Sequence, residues 1–449
     1  MRIAELEGRR IAILGAGREG QASHAWMQRH LPGLAITLLA ESPADAEFAK
    51  RIMAPDRLVI EPFNLDRLRT FDVLIRSPGV SLYRSALQRA QEAGVQITTP
   101  SNLWFAAHSD ARTICITGTK GKSTTSALVH HVLTACGRAS RLAGNIGLPL
   151  LACDDGPVDW WVIELSSYQI ADLEATPEIA VILNLSPEHL DWHGSEETYR
   201  RDKLRLADLA VDGKLIINAQ DEGLLSRFLD RPGVIWFNHP DGVHVSGKCL
   251  LYRGSELPVR VPAGLPGRHN LVNVAAALSV ALAVGIDAGQ AAGAIAGFEA
   301  LPHRLQLLGE HNGVTYFNDS IASTPVATVA ALETLQDRTV VLIVGGKDRG
   351  LDWTRHAHAF NAWPPAAVIG LPSNGPRIEN ELKGAGYLPA RGFYQVDDLP
   401  AAVSKARSLA AEGDIVLLSP GAPSFPQFVD FRERGDKFAQ LALSKPGSG

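Results

Sequence analysis

The stretch from Thr113 to Thr125 constrains this chain more than any other. A short apolar run, Thr113-Ile114-Cys115-Ile116-Thr117, enters Gly118-Thr119-Lys120-Gly121-Lys122-Ser123-Thr124-Thr125. Apolar residues then recur at helical spacing, Ala127-Leu128-Val129 and Val132-Leu133, and stop at Gly137. The order predicts strand, loop and helix, with Gly137 as the C-terminal stop. Gly118 and Gly121 let backbone N–H groups come close to an anion. The helix N-terminus adds partial positive charge, Lys122 a full one, and Ser123 a hydroxyl suited to magnesium. The usual phosphate loop has about four residues between its first Gly and the Gly-Lys pair, whereas Thr119 and Lys120 alone stand there in this chain. A turn with solvated lysines is the plainer reading. Agreement of strand, loop and helix favours phosphate binding.

A chain of 449 residues suggests about two to four domains and can bury a large core. A net charge of −5 argues against a nucleic acid or an anionic membrane as global partner, though not against a local basic pocket. Cys115, Cys136, Cys153 and Cys249 form no C-x-x-C pair, so neither a zinc site nor a disulfide framework is expected, and a reducing cytoplasm fits. Met1 to Glu7 lacks the apolar core of a signal peptide. The most membrane-like stretch, Leu271 to Ile286, is shorter than the roughly 20 residues needed to span, and it contains Asn273 and Ser279. It predicts a buried helix. No internal repeat is evident, and the tail from Ser444 to Gly449 is expected to be disordered.

Upstream, Arg10 to Leu14 predicts a buried strand, followed by Gly15-Ala16-Gly17-Arg18-Glu19-Gly20 and a helix from Gln21 to His30. This is G-x-G-x-x-G in the strand–turn–helix context of a nucleotide-binding unit. A second strand, Ala35 to Leu39, leads to Glu41, where a ribose-binding acid would sit. Three readings stay open: a dinucleotide site, a site for another diphosphate, and a tight turn that packs a helix on a sheet. A further strand, Phe71 to Ile75, precedes Arg76-Ser77-Pro78-Gly79-Val80.

Downstream of the phosphate loop, Trp160 to Ile163 ends in Glu164-Leu165-Ser166-Ser167. An acid at the exit of a buried strand suits magnesium coordination, against the alternative of a helix cap. The strand Ala180 to Asn184 delivers Ser186-Pro187-Glu188-His189-Leu190-Asp191-Trp192-His193 at a C-terminal sheet edge, where open α/β sheets bind ligands. His189 is a better candidate for magnesium or phosphate work than His193. Tyr199 and Lys203 share a helical face, which from spacing alone reads as a solvated lysine. Lys214 to Asn218 adds a strand, and Asn273 lies near the start of the Ala-rich helix. Leu301-Pro302-His303-Arg304 looks like a domain joint. Beyond it, three apolar strands end in Asn318-Asp319-Ser320, in Gly345-Gly346-Lys347-Asp348-Arg349-Gly350, and in Ser419-Pro420-Gly421-Ala422-Pro423-Ser424-Phe425. Their ends should form one ligand face.

These motifs together resemble the Mur ligases, ATP-dependent amide-forming enzymes of peptidoglycan precursor synthesis, and most of all the glutamate-adding, MurD-type branch. The resemblance runs over nearly the whole chain, through Ser77-Pro78-Gly79, Gly118 to Ser123, Gly144-Asn145-Ile146-Gly147, Glu164 to Ser167, Asn184 to Asp191, Tyr199 to Lys203, His269-Asn270 with Asn273, Pro302-His303-Arg304, Asn318-Asp319-Ser320 and Ser419-Pro420. It implies an α/β fold of three domains: a Rossmann-like domain over 1–108 for the UDP part of the substrate, a P-loop ATPase domain over 109–300, and a Rossmann-like domain over 301–449 for the amino acid. It implies that Gly118, Thr119, Lys120, Gly121, Lys122, Ser123, Thr124, Asn273, Arg304 and Asp319 hold ATP. Ser123, Glu164 and His189 would organise magnesium, with Lys203 as a carbamylated lysine behind it. Lys122, Glu164, His189 and Lys203 would be the catalytic set. Gly15, Arg18, Ser77, Pro78, Gly79 and Asn145 would face UDP-N-acetylmuramoyl-L-alanine. Ser323, Arg349, Ser424 and Phe431 would face glutamate. The expected reaction forms an acyl phosphate and releases ADP and phosphate. The enzyme would be a cytoplasmic monomer without nucleic-acid or membrane partners, serving cell-wall synthesis and thereby cell shape and division.

The chain departs from the family pattern in three places. Lys120 stands where Asn is usual. No acid and base of the kind that hold uracil are evident around Ala40-Glu41-Ser42. The usual Asp-Ser-Lys-Ala-Thr is Asp319-Ser320-Ile321-Ala322-Ser323. Isoleucine cannot pair with a carboxylate, and the lost charge-assisted bond is worth about 1.5–3 kcal/mol. The acceptor must therefore be held differently. The pattern is similar to a subgroup that adds L-glutamate and works with a separate glutamyl epimerase, so L-glutamate is expected, with D-glutamate as the alternative. A folylpolyglutamate-synthase-like ligase would not need the N-terminal glycine turn. An NAD-dependent oxidoreductase would leave Lys122, Glu164 and Lys203 without a role, and a non-catalytic nucleotide switch would not consume ATP.

Overall fold

The structure, a computed structural model, describes residues 1–41, 57–153, 156–262 and 264–444. Ser42 and the tail from 445 onward lie outside the described residues. Two compact units form: Met1–Val261 with Arg268–Phe298, and Pro262–Gly267 with Glu299–Gly449.

The first unit is built on two parallel sheets. β1 (Ile11–Leu14), β2 (Ile36–Ala40), β3 (Arg57–Ile60), β4 (Val73–Arg76) and β5 (Gln96–Thr98) make one, in the order β3-β2-β1-β4-β5. β6 (Thr113–Thr117), β7 (Ser140–Gly144), β8 (Trp160–Glu164), β9 (Ile179–Ile182), β10 (Lys214–Asn218) and β11 (Val234–Phe237) make the other, in the order β11-β10-β9-β6-β8-β7. β1, β6, β8 and β9 are buried along their whole length. Burial on both faces is why parallel strands read as continuous apolar runs. A small antiparallel sheet follows, β12 (His244–Ser246), β13 (Cys249–Tyr252) and β14 (Ser255–Glu256). One apolar core, with Ile13, Trp104, Trp161 and Leu206 among its members, runs beneath both large sheets. The helix Arg268–Ala283 is buried along most of its length, as its apolar composition requires. No helix among the described residues is long and apolar enough to cross a membrane.

The register brings distant motifs together. Ile116 of β6 lies opposite Glu164 of β8, and Thr117 opposite Ile182 of β9. The three strands therefore end side by side, and their loops begin at one edge. In the first sheet, Gly20 is obligatory: a Cβ there would lie 2.0 Å from the Gly15 carbonyl oxygen. That contact packs the helix Arg18–His30 onto its strand.

The second unit holds one sheet: β15 (Gln306–His311), β16 (Val314–Asn318), β17 (Val340–Val344), β18 (Ala367–Gly370), β19 (Phe393–Gln395) and β20 (Ile415–Leu418), ordered β15-β16-β20-β17-β18-β19. Only β15 is antiparallel. β16, β20 and β17 are neighbours, so the three polar loops do emerge together.

Candidate active site

The phosphate loop has the geometry its residues suggest. The helix Lys122–Ala135 starts after Gly121, whose φ is +83°. A Cβ at Gly121 would lie 2.4 Å from Asn273 Oδ1, so the loop is pressed against Asn273, which also accepts from Thr125 Oγ1 at 3.3 Å. The Thr119 N–H donates to the Asn184 carbonyl at 3.0 Å, and the Lys120 N–H to Asn184 Oδ1 at 2.8 Å. Lys122 Nζ donates to the Gly118 and Thr119 carbonyls at 3.0 and 2.9 Å, and Ser123 and Thr124 open the helix behind it. Lys120 forms an ion pair with Glu188 at 2.8 Å. Burial opposes the Glu188 charge, but Lys120, with His189 and Lys122, outweighs it and holds the carboxyl below its usual range.

Lys203 is only 2% exposed, and its Nζ donates to the Gly118 carbonyl at 2.8 Å. The solvated-lysine reading is thus corrected. The apolar side of the helix Glu196–Leu209 carries Lys203 inward beside Tyr199, whose hydroxyl pairs with Thr119 Oγ1 at 2.7 Å. Burial, and then the neighbouring Lys122, push the Lys203 amine well below the ordinary lysine range. Both effects favour the uncharged form of the amine.

Glu164 is wholly buried. Its Oε1 accepts from Asn145 Nδ2 at 2.6 Å, while Oε2 has no hydrogen-bond partner. A buried carboxylate oxygen without a donor fits a cation. His189, at φ +58°, lies 3.6 Å from Glu188. Burial lowers its pKa, Glu188 raises it, and the nearby Lys122 and Lys203 lower it again; the net shift is downward. A neutral imidazole can ligate a metal. Among the described residues no three His, Cys, Asp or Glu side chains form a ready metal cage. Magnesium seldom needs one, because waters and substrate phosphates complete its shell. His193, by contrast, is buried between Asp202 and Ser167 and serves no loop directly.

Gly15, Arg18, Ser77, Pro78, Gly79 and Asn145 all line one cavity of about 470 Å³ between the two sheets of the first unit. Sequence reasoning missed several of its other walls, including Glu19, Phe63, Arg84, Tyr168 and Gln169. Burial raises the Glu19 carboxyl to about 7, against the pull of Arg18. An acid and a base do stand at the rim. Arg84 holds Glu41 through two bonds of 2.6 and 2.9 Å and lies 5.2 Å over the Phe63 ring. They are 43 residues apart, so only Glu41 could have been marked from the glycine motif.

In the second unit, Asp319 is buried and accepts from Ser419 Oγ at 2.7 Å and the Leu305 N–H at 3.0 Å. Burial raises its carboxyl to about 6. Arg434, 1% exposed, ties the three loops together through Ser320 Oγ at 3.0 Å and the carbonyls of Ser320, Ala422 and Gly345 at 2.8, 3.1 and 3.5 Å. No motif flagged it. Ser424 is buried, Ser323 half-buried and Arg349 exposed along these loops. Phe431 starts the last helix, and its carbonyl accepts from Ser320 Oγ at 2.8 Å. Arg304 and Asp319 belong to this unit, and the phosphate loop to the other.

Three family models cover most of the chain: "Mur ligase MurD-like, N-terminal domain" at 9–99, "Mur ligase middle domain" at 116–281 and "Mur ligase, glutamate ligase domain" at 303–421. A relative from Xanthomonas campestris, named UDP-N-acetylmuramoyl-L-alanine--L-glutamate ligase, is 43% identical over 467 residues, spanning 100% of this chain and 98% of its own.

The chain belongs to the Mur ligase family.

Relatives of the same name from Xylella fastidiosa and a Micromonospora strain are 43% and 40% identical, covering 99% and 100% of this Mur ligase and 97% and 99% of their own chains. Solved structures agree on the fold. UDP-N-acetylmuramate-alanine ligase from Thermotoga maritima aligns at a TM-score of 0.58 and 20% identity, over 96% of this chain and 98% of that one. UDP-N-acetylmuramoylalanyl-D-glutamyl-2,6-diaminopimelate--D-alanyl-D-alanyl ligase from Acinetobacter baumannii aligns at 0.61 and 16%, over 96% and 90%. The three-domain α/β architecture of Mur ligases is therefore that of this chain, and the family's chemistry is ATP-dependent amide ligation.

Proposed function

We propose that this Mur ligase joins L-glutamate to UDP-N-acetylmuramoyl-L-alanine, consuming ATP and releasing ADP and phosphate. The main support is the end-to-end match to ligases named for that reaction. Ile321 supports the L enantiomer, since it removes the lysine of the Asp-Ser-Lys-Ala-Thr pattern.

The cavity between the two sheets of the first unit takes the nucleotide substrate. Ser77, Pro78, Gly79 and the Gly15–Arg18 turn face its diphosphate, and Glu41 and Arg84 offer an acid and a base to its uracil. Asn145, which touches Glu164, lies toward the alanyl carboxylate. Backbone N–H groups from Gly118 to Thr124, with Lys122, receive the ATP phosphates. Asn273 braces the loop, and Arg304 and Asp319 contribute from the C-terminal unit. Ser123, Glu164 and His189 would hold magnesium, with Lys203, if carbamylated, behind it, and the bound ion would supply charge neutralisation at the phosphoryl oxygens. The alanyl carboxylate attacks the γ-phosphorus, the bond to the β-phosphate oxygen breaks, and an acyl phosphate and ADP form. The glutamate amine, held near Ser323, Arg349, Ser424 and Phe431, attacks the acyl carbon and gives up a proton. The tetrahedral intermediate then expels phosphate. No covalent enzyme intermediate is needed. The reading assigns nucleotide-substrate binding to 1–108, ATP to 109–300 and the amino acid to 301–449. It also includes a monomeric cytoplasmic enzyme and a glutamyl epimerase acting on its product.

The test measures ADP release with UDP-N-acetylmuramoyl-L-alanine and either enantiomer of glutamate. Release with L-glutamate is expected. Turnover with D-glutamate alone overturns the stereochemical assignment, and AMP with pyrophosphate overturns the mechanism.

A further inference from the structure

His193 takes no part in the reaction just described, yet it stands where three functional segments meet. It closes the short helix Leu190–His193 and is 2% exposed. Its Nδ1 lies 2.7 Å from Asp202 Oδ2, and its Nε2 lies 3.0 Å from Ser167 Oγ. A carboxylate can only accept, so Nδ1 carries a proton, which leaves Nε2 able to accept the Ser167 hydroxyl.

Each partner leads to a different part of the site. Ser167 follows Glu164 by three residues and begins the turn whose Ser166 and Gln169 cap each other. Asp202 immediately precedes Lys203, whose Nζ reaches the phosphate loop. Both Asp202 oxygens also accept the Tyr83 hydroxyl, at 2.7 Å each. Tyr83 belongs to the segment after β4 whose Ser77, Pro78, Gly79, Val80 and Arg84 line the cavity. That segment is tied a second time next to His193: Ser81 Oγ donates to the Trp192 carbonyl at 2.7 Å, and Trp192 Nε1 to the Pro78 carbonyl at 3.0 Å. A buried carboxylate held by an imidazole, a phenol and, at 3.3 Å, the Arg201 guanidinium admits few alternative geometries, because losing the imidazole or the phenol leaves it under-satisfied in the interior.

We propose that His193 is a positioning residue. Through Ser167 and Asp202 it holds the Glu164 turn and the Lys203 helix in register, and through Asp202 and Tyr83 it locks both to the rim of the substrate cavity. Occupancy of that cavity and the setting of Lys203 are thereby linked by one hydrogen-bonded chain, Ser167–His193–Asp202–Tyr83. The inference rests on the ligase reading above. Absence of glutamate-dependent ADP release by the wild-type protein would defeat that reading by itself, before any variant is compared.

The test compares His193→Ala, His193→Asn and Tyr83→Phe in the full-length protein, at a temperature where circular dichroism shows each to be folded. Misplacing a reacting group by ~1 Å through a distant change reduces rate by about 10²-fold. His193→Ala is therefore expected to lower kcat by ~10–100-fold, with KM for ATP and for the nucleotide substrate within ~3-fold of wild type. His193→Asn keeps a donor toward Asp202 and should recover part of the loss. Tyr83→Phe removes one bond to a charged group and should lower kcat by ~3–10-fold. A readout independent of turnover is hydrogen exchange in the absence of substrates. Peptides covering 164–170, 196–205 and 77–84 should exchange faster in His193→Ala, and 122–135 should not. Should His193→Ala fail to fold, His193→Asn and Tyr83→Phe carry the test. Wild-type kcat in the folded variants, or faster exchange confined to 190–193, overturns the proposal.

Discussion

Replacing Glu164 by Gln separates what this carboxylate does for the reaction from what it does for the fold. The side chain is wholly buried, with Oε1 satisfied by Asn145 at 2.6 Å and Oε2 unsatisfied. A buried charged acceptor without a donor destabilises by at least ~1–3 kcal/mol. Glutamine keeps the acceptor for Asn145 and puts an unpaired but neutral N–H₂ group where Oε2 was. The net gain expected is about 1–2 kcal/mol. For a unit of this size each kcal/mol is worth roughly 2–4 °C, so the melting temperature without nucleotide should rise by about 2–8 °C. Activity should move the other way. Losing a preorganised charge beside the transferred group typically reduces rate by ~10²–10³-fold, and such opposed changes mark a group retained for function at the expense of stability. The assays are differential scanning calorimetry of the ligand-free protein and coupled detection of ADP. Magnesium and ADP together should stabilise the wild type more than the variant. A variant that melts lower than wild type, or retains more than a fifth of its turnover, would refute the assignment of Glu164 as a cation ligand.

Three further outcomes follow from the C-terminal unit. Arg434→Met leaves the Ser320 and Ala422 carbonyls without their buried donor, so the unit should lose about 3 kcal/mol in urea unfolding and KM for glutamate should rise while KM for ATP does not. Ile321→Lys should raise turnover with D-glutamate relative to L-glutamate by about 10-fold, the equivalent of one charge-assisted bond; an unchanged ratio would mean that Ile321 does not set stereochemistry. Burial raises the Asp319 carboxyl to about 6 in the fold, from an ordinary value of 3.8. The folded state therefore binds the extra proton between those values. Its stabilising contribution is complete below pH 3.8 and lost as pH rises through 6, by at most about 3 kcal/mol. Asp319→Asn should flatten that part of the urea-midpoint profile, and a profile identical to wild type would contradict the buried carboxyl.

Much of the site was legible because its chemistry is local. The strand, loop and helix around Gly118–Thr124 are specified within a dozen consecutive residues, and the acid ending β8 follows from an apolar run stopping at Glu164. Once the strands are parallel, their C-terminal loops must share an edge, so the meeting of the Glu164, His189 and phosphate-loop segments was legible as well. The weak points were residues whose role depends on what they face. Lys203 on a charged helix reads as solvated, and only the resemblance marked it. In the fold it is buried beside Lys122 with its amine pushed down. Glu41 was visible, but its partner Arg84 stands 43 residues away. Arg434 carried no motif at all, and no motif marked the pairing of His193 with Asp202.

The sequence by itself determined the element types and the anion-binding loop, since these depend on periodicity and on backbone freedom over short spans; the ligase chemistry was legible through the resemblance of its ordered motifs to those of the family. The tertiary structure alone decided which charges are buried, which are paired and which stay neutral. Those properties depend on the dielectric around a group and on partners supplied by other elements. Asn273 pressed on Gly121 and Tyr83 bonded to Asp202 are contacts between residues more than a hundred positions apart, and no local pattern encodes them.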